Sequence, residues 1–292
     1  MSINPSKQSI ISLGEVLWDL FPDGQRFGGA SANFACHAAL SGARVTMLSA
    51  VGNDDRGHAA LEIMKKLEVD ISQVQRIDNA STGTVGVTLD EAGRPSFVIH
   101  EGAAWDRMTW TPNMGSCIRG ADTVYFGTLG QRESISRATI RKALKLAKDL
   151  GIRRVLDVNL RKPFYDDELI RESIAMSSVL KLSDEELNVV LDACKVNKCK
   201  EAKHSLRALL ETFDLELVAM TCGAQGALLA TRNAFIEQPG IPASVRDTVG
   251  AGDAFTASLV IGLNSGASLK SVALTACTVA SGVCSYSGAI PT

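Results

Sequence analysis

From residue 123 onward the chain alternates short apolar runs with long amphipathic ones. TVYFG at 123–127 has the β-branched and aromatic content of a buried strand. RESISRATIRKALKLAKDLG follows it. There Ile140, Ala143, Leu144, Ala147 and Leu150 recur at helical spacing, and Gly151 stops the helix. VLDV at 155–158 and VLKL at 179–182 read as strands again, and LVAM at 217–220 follows a helical stretch around 201–212. Parallel neighbours need a crossover, and a helix is the usual one. The rhythm therefore predicts an α/β fold, a doubly wound, mostly parallel sheet flanked by helices. In such sheets ligands bind at the carboxyl ends of strands. The segments expected there are GTLG, NLRK, SDEE and TCGAQG, all polar or glycine-rich.

Two stretches break the rhythm. EVLWDLFPDGQRFG at 15–28 carries Pro22, Asp23 and Gly24, a turn signal between apolar flanks. TGTVGVTLDEAGRPSFVIHE at 82–101 alternates and turns at Glu91, Ala92 and Gly93, as a hairpin does. The two segments are expected to form a small separate sheet. No long linker, low-complexity segment or internal repeat interrupts the chain.

The 292 residues suffice for one large α/β domain with a small appendage. Apolar residues at 46% and charged residues at 21% allow a sizeable core, and a net charge of −2 gives no basic face for nucleic acid. No apolar run has the length of a membrane span, and MSINPSKQS lacks the apolar core of a signal peptide. The seven cysteines have no zinc-type spacing, so free thiols in a reducing cytoplasm are the simplest reading.

The densest chemical signal is DTVGAGDAF at 247–255. Glycine is unfavourable inside a helix and tolerated before one, so Gly250, Ala251 and Gly252 mark a loop tightening into a helix start. Such a start exposes backbone N–H groups and a partial positive charge, an anion hole. Asp253 would face the same anion. A carboxylate beside a phosphate is repulsive unless it accepts the proton of an attacking alcohol. With an ordinary pKa of roughly 4 it would take that proton late. The plainer reading is a glycine turn with a capping Asp.

DTVGAGDAF resembles the C-terminal signature of the ribokinase-like (PfkB) carbohydrate kinases, and FGGASANFA at 27–35 resembles their N-terminal one. The two lie about 220 residues apart, which suits that family. GEVLWDLFP, DVNLR and KLSDEE look most like fructokinases and 2-keto-3-deoxygluconate kinases. The resemblance spans essentially the whole chain. It implies a ribokinase-like fold, with a core of residues 1–14, 31–81 and 105–292 and a discontinuous β lid of 15–30 and 82–104. It implies ATP and Mg2+, a sugar acceptor and a homodimer through the lid.

Residue by residue, the resemblance makes Asp253 the catalytic base and Gly250, Ala251 and Gly252 the anion hole. Asp19, Gly28, Gly29 and Asn33 would bind sugar hydroxyls; alone, Asp19 reads as a turn residue and Asn33 as the cap of a helix over 33–41. Arg161 would clamp a phosphate or sugar oxygen, or form a rim ion pair. Thr221, Gly223 and Gly226 would form a nucleotide-phosphate loop, with Thr248 beside it. Where the family carries N-x-x-E, linked to Mg2+ through water, this chain has Ser183, so only Glu186 carries over. Ser183 and Glu186 also read as a capping box. Residues 277–288 would line the adenine pocket, and Asp247 would serve a K+ site. Family members continue past this point into a last helix, whereas this chain stops at GAIPT, which implies an incomplete adenine pocket.

His37 and Cys36 lie on an apolar helix and read as core. His58, His100 and His204 show no metal spacing. Trp105 and Trp110 are expected under the small sheet. There is no G-x-x-x-x-G-K-[ST] loop, no protein-kinase motif set and no G-x-G-x-x-G after a strand. Without a P-loop lysine, triphosphate charge would fall to backbone N–H groups, Mg2+ and Arg161. The leading reading is ATP-dependent transfer to a primary hydroxyl, with fructose as acceptor. The alternatives are 2-keto-3-deoxygluconate, ribose or a nucleoside as acceptor, and a sugar-binding protein without catalysis. An acidic acceptor would draw on Arg94, Arg107 and Arg26.

Overall fold

The computed structural model describes residues 7–89 and 95–291. In chain order the strands are β1 (Ser9–Leu13), β2 (Leu17–Phe21), β3 (Gly24–Gly28), β4 (Arg44–Gly52), β5 (Asp70–Ile77), β6 (Gly83–Leu89), β7 (Pro95–Ile99), β8 (Thr123–Gly127), β9 (Arg153–Asp157), β10 (Val179–Ser183), β11 (Leu217–Thr221), β12 (Gly226–Ala230) and β13 (Phe235–Pro239). The helices are α1 (Ala30–Leu40), α2 (Asp55–Lys66), α3 (Pro112–Arg119), α4 (Ser134–Asp149), α5 (Asp167–Met176), α6 (Asp184–Cys194), α7 (Ala202–Phe213), α8 (Ala251–Asn264) and α9 (Leu269–Val283). Every strand and helix expected from the rhythm of residues 123–220 is present.

Nine strands form the main sheet in the order β13-β12-β11-β10-β9-β8-β1-β4-β5. It is parallel from β11 to β5, and β12 and β13 run antiparallel at one edge. From β1 the chain winds one way to β4 and β5, and from β8 the other way to β9, β10 and β11. The winding reverses between β1 and β8, and a crevice opens at their carboxyl ends.

Helices cover both faces. Ile140, Ala143, Leu144 and Ala147 of α4 are fully buried against one face, as their spacing predicts. Burying Ile140 or Leu144 contributes roughly 1.5–3 kcal/mol each. Leu150 is the exception: it caps the helix and is half exposed. The other face carries α1 and α8. Both are apolar almost all round, and their residues 31–38 and 254–260 are buried. Phe34 of α1 stacks on Tyr125 of β8 with ring centroids 3.8 Å apart.

The two segments outside the rhythm form a four-stranded sheet, β3-β2-β6-β7. β2 pairs parallel with β6, and the outer pairs are antiparallel. The expected turn at Glu91, Ala92 and Gly93, and Arg94 beside it, lie outside the described residues. Trp105 is buried at the base of this sheet, against Gly83. Trp110 is not: it packs on α3 at Gly115, under Lys142 of α4. The chain has turned away from the small sheet by residue 110, so a shared role for the two tryptophans does not survive.

Arg132 roots the small sheet in the main one. Its guanidinium donates to both oxygens of Asp106 at 2.8 and 2.7 Å and to the His100 carbonyl at 2.9 Å. It also lies 4.1 Å from the Trp105 ring centroid. Both partners of this ion pair are only 3% exposed.

Candidate active site

A cavity of about 390 Å³ lies in the crevice. Its floor comes from the ends of β1 and β9, from Lys181 of β10 and from the first turns of α1 and α8. Its roof is the small sheet, through Leu17 and Asp19 of β2, Val85 of β6, and Phe97 and Ile99 of β7.

α1 begins three residues before the expected start, so Asn33 is not its cap. Gly29 takes φ 101°, and its carbonyl already accepts the Asn33 N–H at 2.8 Å. A Cβ there would stand 2.7 Å from the Glu15 carbonyl, so the position needs glycine for both conformation and space. Asn33 thus lies inside α1 and faces the cavity. Its Nδ2 donates to Asp253 Oδ2 at 2.8 Å, and its buried Oδ1 has no partner among the described residues.

α8 is capped by Gly250, which takes φ 80° and would drive a Cβ to 2.7 Å from the Ala289 backbone. The Ala254 N–H reaches the Gly250 carbonyl, whereas the Gly252 and Asp253 N–H groups have no acceptor among the described residues. These are the free amides of a helix N-terminus, and they border the cavity. Gly250, Gly252, Thr248 and Asp253 all line it.

Asp253 is not the weak base that its ordinary pKa would make it. Burial raises its pKa to about 7, helped by the Asp157 charge and opposed by the Asn33 hydrogen bond and Lys181. A base with that affinity suits proton removal near neutral pH. Asp19 is likewise raised to about 6, chiefly by burial, with Arg161 and Arg26 pulling it back. Gly28 sits beside Asp19, and a Cβ there would meet Asp19 Oδ2 at 2.6 Å.

Arg161 lines the cavity mouth, is exposed and makes no ion pair among the described residues. Among the described residues the rim salt bridge is therefore not formed. Arg26 pairs with Asp23 at 2.9 Å, and Arg107 is bound to Asn79. Neither lines the cavity.

Ser183 and Glu186 form the capping box of α6. The Glu186 oxygens also pin two strand exits, accepting the Leu160 N–H at 2.7 Å and the Ser183 N–H at 2.8 Å. Thr221 is in register with Ser183, so β11 ends beside it. Gly223 is exposed in the turn that follows, and Gly226 is buried at the start of β12, paired with Pro239. These three lie outside the cavity, along the strand ends beyond Lys181. Asp247 ties two loops, accepting the Val249 N–H at 3.0 Å and the Gly288 N–H at 2.9 Å.

Three charged floor residues were not singled out from the sequence. Glu15 follows β1, is 2% exposed and accepts from the Ser31 N–H and hydroxyl. Asp157 and Lys181 are register partners on β9 and β10, joined at 3.1 Å. Anionic charge in this site is therefore not left to backbone amides, an ion and Arg161 alone. A lone Asp in VLDV and a lone Lys in VLKL were the available signal, because a parallel strand covered on both faces has no ordinary place for a charge.

Cys36 and His37 are core, with His37 Nε2 2.8 Å from the Ala289 carbonyl. All seven cysteines are free. Among the described residues no cluster of His, Cys, Asp and Glu could cage a metal ion, and no helix is long and apolar enough to cross a membrane.

The comparisons with known proteins agree with this fold. The pfkB family of carbohydrate kinases matches residues 14–292. An uncharacterized sugar kinase of Pyrococcus horikoshii is 31% identical over 271 residues, covering 87% of this chain and 82% of its own. Its structure in complex with ATP superposes with a TM-score of 0.82, covering 96% of this chain and 93% of the other. A fructokinase of Salmonella typhimurium is 28% identical over 261 residues, covering 86% of this chain and 83% of its own. The structure of a Vibrio cholerae fructokinase with fructose, ADP and calcium ion has a TM-score of 0.80 at 26% identity, covering 97% and 94%. With both signature loops meeting at one cavity and the match running from residue 14 to 292, the chain belongs to the pfkB family of carbohydrate kinases, phosphotransferases that act on a sugar hydroxyl.

Proposed function

We propose that the protein transfers the γ-phosphoryl group of ATP to a primary hydroxyl of a neutral sugar, with fructose as the favoured acceptor. The observation that carries this reading is Asp253. It is a carboxylate with a pKa of about 7, placed in the first turn of α8 beside two amides that have no acceptor among the described residues. The sugar hydroxyl gives its proton to Asp253 as its oxygen bonds phosphorus. The Gly252 and Asp253 N–H groups, framed by Gly250 and Ala251, meet the charge on the phosphoryl oxygens.

The acceptor would lie between floor and roof. Asp19 and the free Oδ1 of Asn33 accept from hydroxyls, and Gly28 and Gly29 let the ring approach the backbone. Leu17, Val85, Phe97 and Ile99 give the roof an apolar lining that excludes water, the competing acceptor. The nucleotide would run over Thr248 toward Thr221, Gly223 and Gly226, with Arg161 reaching in from the mouth.

The residues fit a Mg2+ ion carried on the phosphates better than one caged by protein. Glu186, already fixed by two N–H groups, would hold one of its waters. When bound, that ion supplies charge neutralisation across the phosphates. Asp247 would serve a K+ site, and residues 15–30 and 82–104 a lid. Half of Phe97 and of Val98 is exposed on that lid, which suits a homodimer formed through it.

The cavity lining favours a neutral sugar. Among the described residues it holds the carboxylates Glu15, Asp19, Asp157 and Asp253 against Lys181 and Arg161. A second reading rests on Arg161, whose guanidinium has no carboxylate partner among the described residues and could meet the carboxylate of 2-keto-3-deoxygluconate. ADP release with Mg-ATP and K+ decides between them, run on fructose, 2-keto-3-deoxygluconate, ribose and adenosine. Turnover of fructose at the highest kcat/KM supports the first reading. Preference for 2-keto-3-deoxygluconate supports the second. Sugar binding with no turnover of any acceptor overturns both.

A further inference from the structure

Lys181 sits within β10 among Val179, Leu180 and Leu182, all of them fully buried. An ammonium in such a place is strongly unfavourable unless its charge and its donors are met. Asp157 meets them only in part. Lys181 Nζ donates to Asp157 Oδ1 at 3.1 Å, while Asp157 Oδ2 is taken by the Thr256 hydroxyl at 3.0 Å. An ammonium has three N–H donors. The other two have no acceptor among the described residues.

The ammonium is not sealed in the core either. Lys181 lines the cavity together with Gly252 and Asp253. A Cβ added at Gly252 would stand 3.2 Å from Nζ. The charge is thus held against the first turn of α8, where the Gly252 and Asp253 amides also lack acceptors among the described residues. Burial alone would lower the Lys181 pKa, but Asp157 and Glu186 outweigh it and raise it, so the group keeps its proton. A purely structural pair would use up its donors on protein. This one aims spare donors at the same part of the cavity as the helix start.

We propose that Lys181 is a further catalytic residue, whose Nζ binds an oxygen of the phosphoryl group in transit beside the N-terminus of α8. The inference rests on the phosphotransferase reading above. In the step, the sugar oxygen bonds phosphorus as the bond from phosphorus to the bridging oxygen of ATP breaks. The hydroxyl proton goes to Asp253, and the electron pair of the broken bond leaves on ADP. Lys181 gives up no proton; it supplies charge and hydrogen bonds. Asp157 is its positioning residue, and Thr256 fixes the rotamer of Asp157. A strand lysine thereby meets the phosphate charge that a P-loop lysine meets in other folds.

The test compares wild type, Lys181→Met and the double variant Lys181→Met/Asp157→Asn. The single variant leaves Asp157 buried without its partner and is vulnerable to misfolding, so the double variant carries the decision. It is expected to fold, to bind ATP and fructose within about threefold of wild type, and to lose kcat by about 10²–10³-fold. Calorimetry with ADP, aluminium fluoride and fructose gives a readout besides turnover. Wild type forms the tight complex, and the double variant binds ADP alone normally without forming it. If Lys181 only balances Asp157, the double variant recovers kcat to within about fivefold, and the proposal is overturned. Failure of wild type to turn over any sugar overturns the phosphotransferase reading and this inference with it. Wild-type turnover with an unimpaired double variant overturns this inference alone.

Discussion

Asn33 Nδ2 lies 2.8 Å from Asp253 Oδ2, joining residues 220 positions apart in the chain. α1 and α8 pack side by side on one face of the sheet, and this bond links their first turns. It bears on the ionisation of Asp253 as well as on packing. A hydrogen bond to the ionised carboxylate favours that form and holds down a pKa that burial drives up.

Removing that donor is expected to show in the pH profile. Asn33→Ala should move the acid limb of kcat above its wild-type position and cut kcat at pH 7 by about tenfold. Steady-state rates from pH 5.5 to 9 check it. An unmoved limb would show that the bond serves packing only.

Asp253 must be ionised to accept a proton, so wild-type kcat should fall as pH drops below about 7. Asp253→Asn should lose about 10²–10⁴-fold in kcat above pH 7, less at lower pH, while binding ATP and sugar. Stopped-time ADP assays and calorimetry on the same preparation separate the two effects.

The same residue makes a stability prediction of definite sign. Its folded pKa is raised, so its contribution is fully present below the unfolded value of roughly 4 and is lost as pH rises through about 7. Asp253→Asn should therefore melt higher than wild type at pH 8.5, by roughly 1–2 kcal/mol after allowing for the open side of the crevice. The gain should vanish toward pH 4.5. A constant difference between those pH values would contradict the assignment.

Arg132 and Asp106 form a buried pair at the root of the small sheet. Arg132→Met should destabilise the protein by about 3–5 kcal/mol, because Asp106 is left charged and unpaired. Arg132→Met/Asp106→Asn should recover most of that. Urea unfolding of the three proteins tests the point, and equal losses in the single and double variants would sink it.

Gly250→Ala should damage both fold and function. Its φ of 80° disfavours a side chain, and the new Cβ would press on Ala289 at 2.7 Å. A loss of about 1–3 kcal/mol is expected, with KM for ATP raised more than KM for the sugar. Equal changes in the two KM values would place the anion hole elsewhere.

Much of this molecule was legible from local pattern. Period-3.6 spacing placed α4 to within a residue at its end, because one face of the helix must be buried and the other wetted. The apolar runs marked β8 to β11, because strands covered on both faces have few other compositions. The glycines of DTVGAGDAF announced the start of α8, because few residues tolerate the backbone conformation that Gly250 adopts. The resemblance of two short motifs then named the family.

What the sequence alone determined was the local conformation and, through its two signature motifs, the family. Tertiary structure decided which groups share charge. Lys181 and Asp157 are single charges in two apolar strands, unremarked in the sequence; register made them neighbours, and the first turn of α8 packs over them. The pKa of Asp253 was set in the same way. Desolvation and Coulomb forces act through space between groups from β1, β9, β10, α1 and α8, and spacing along a chain carries no measure of those distances.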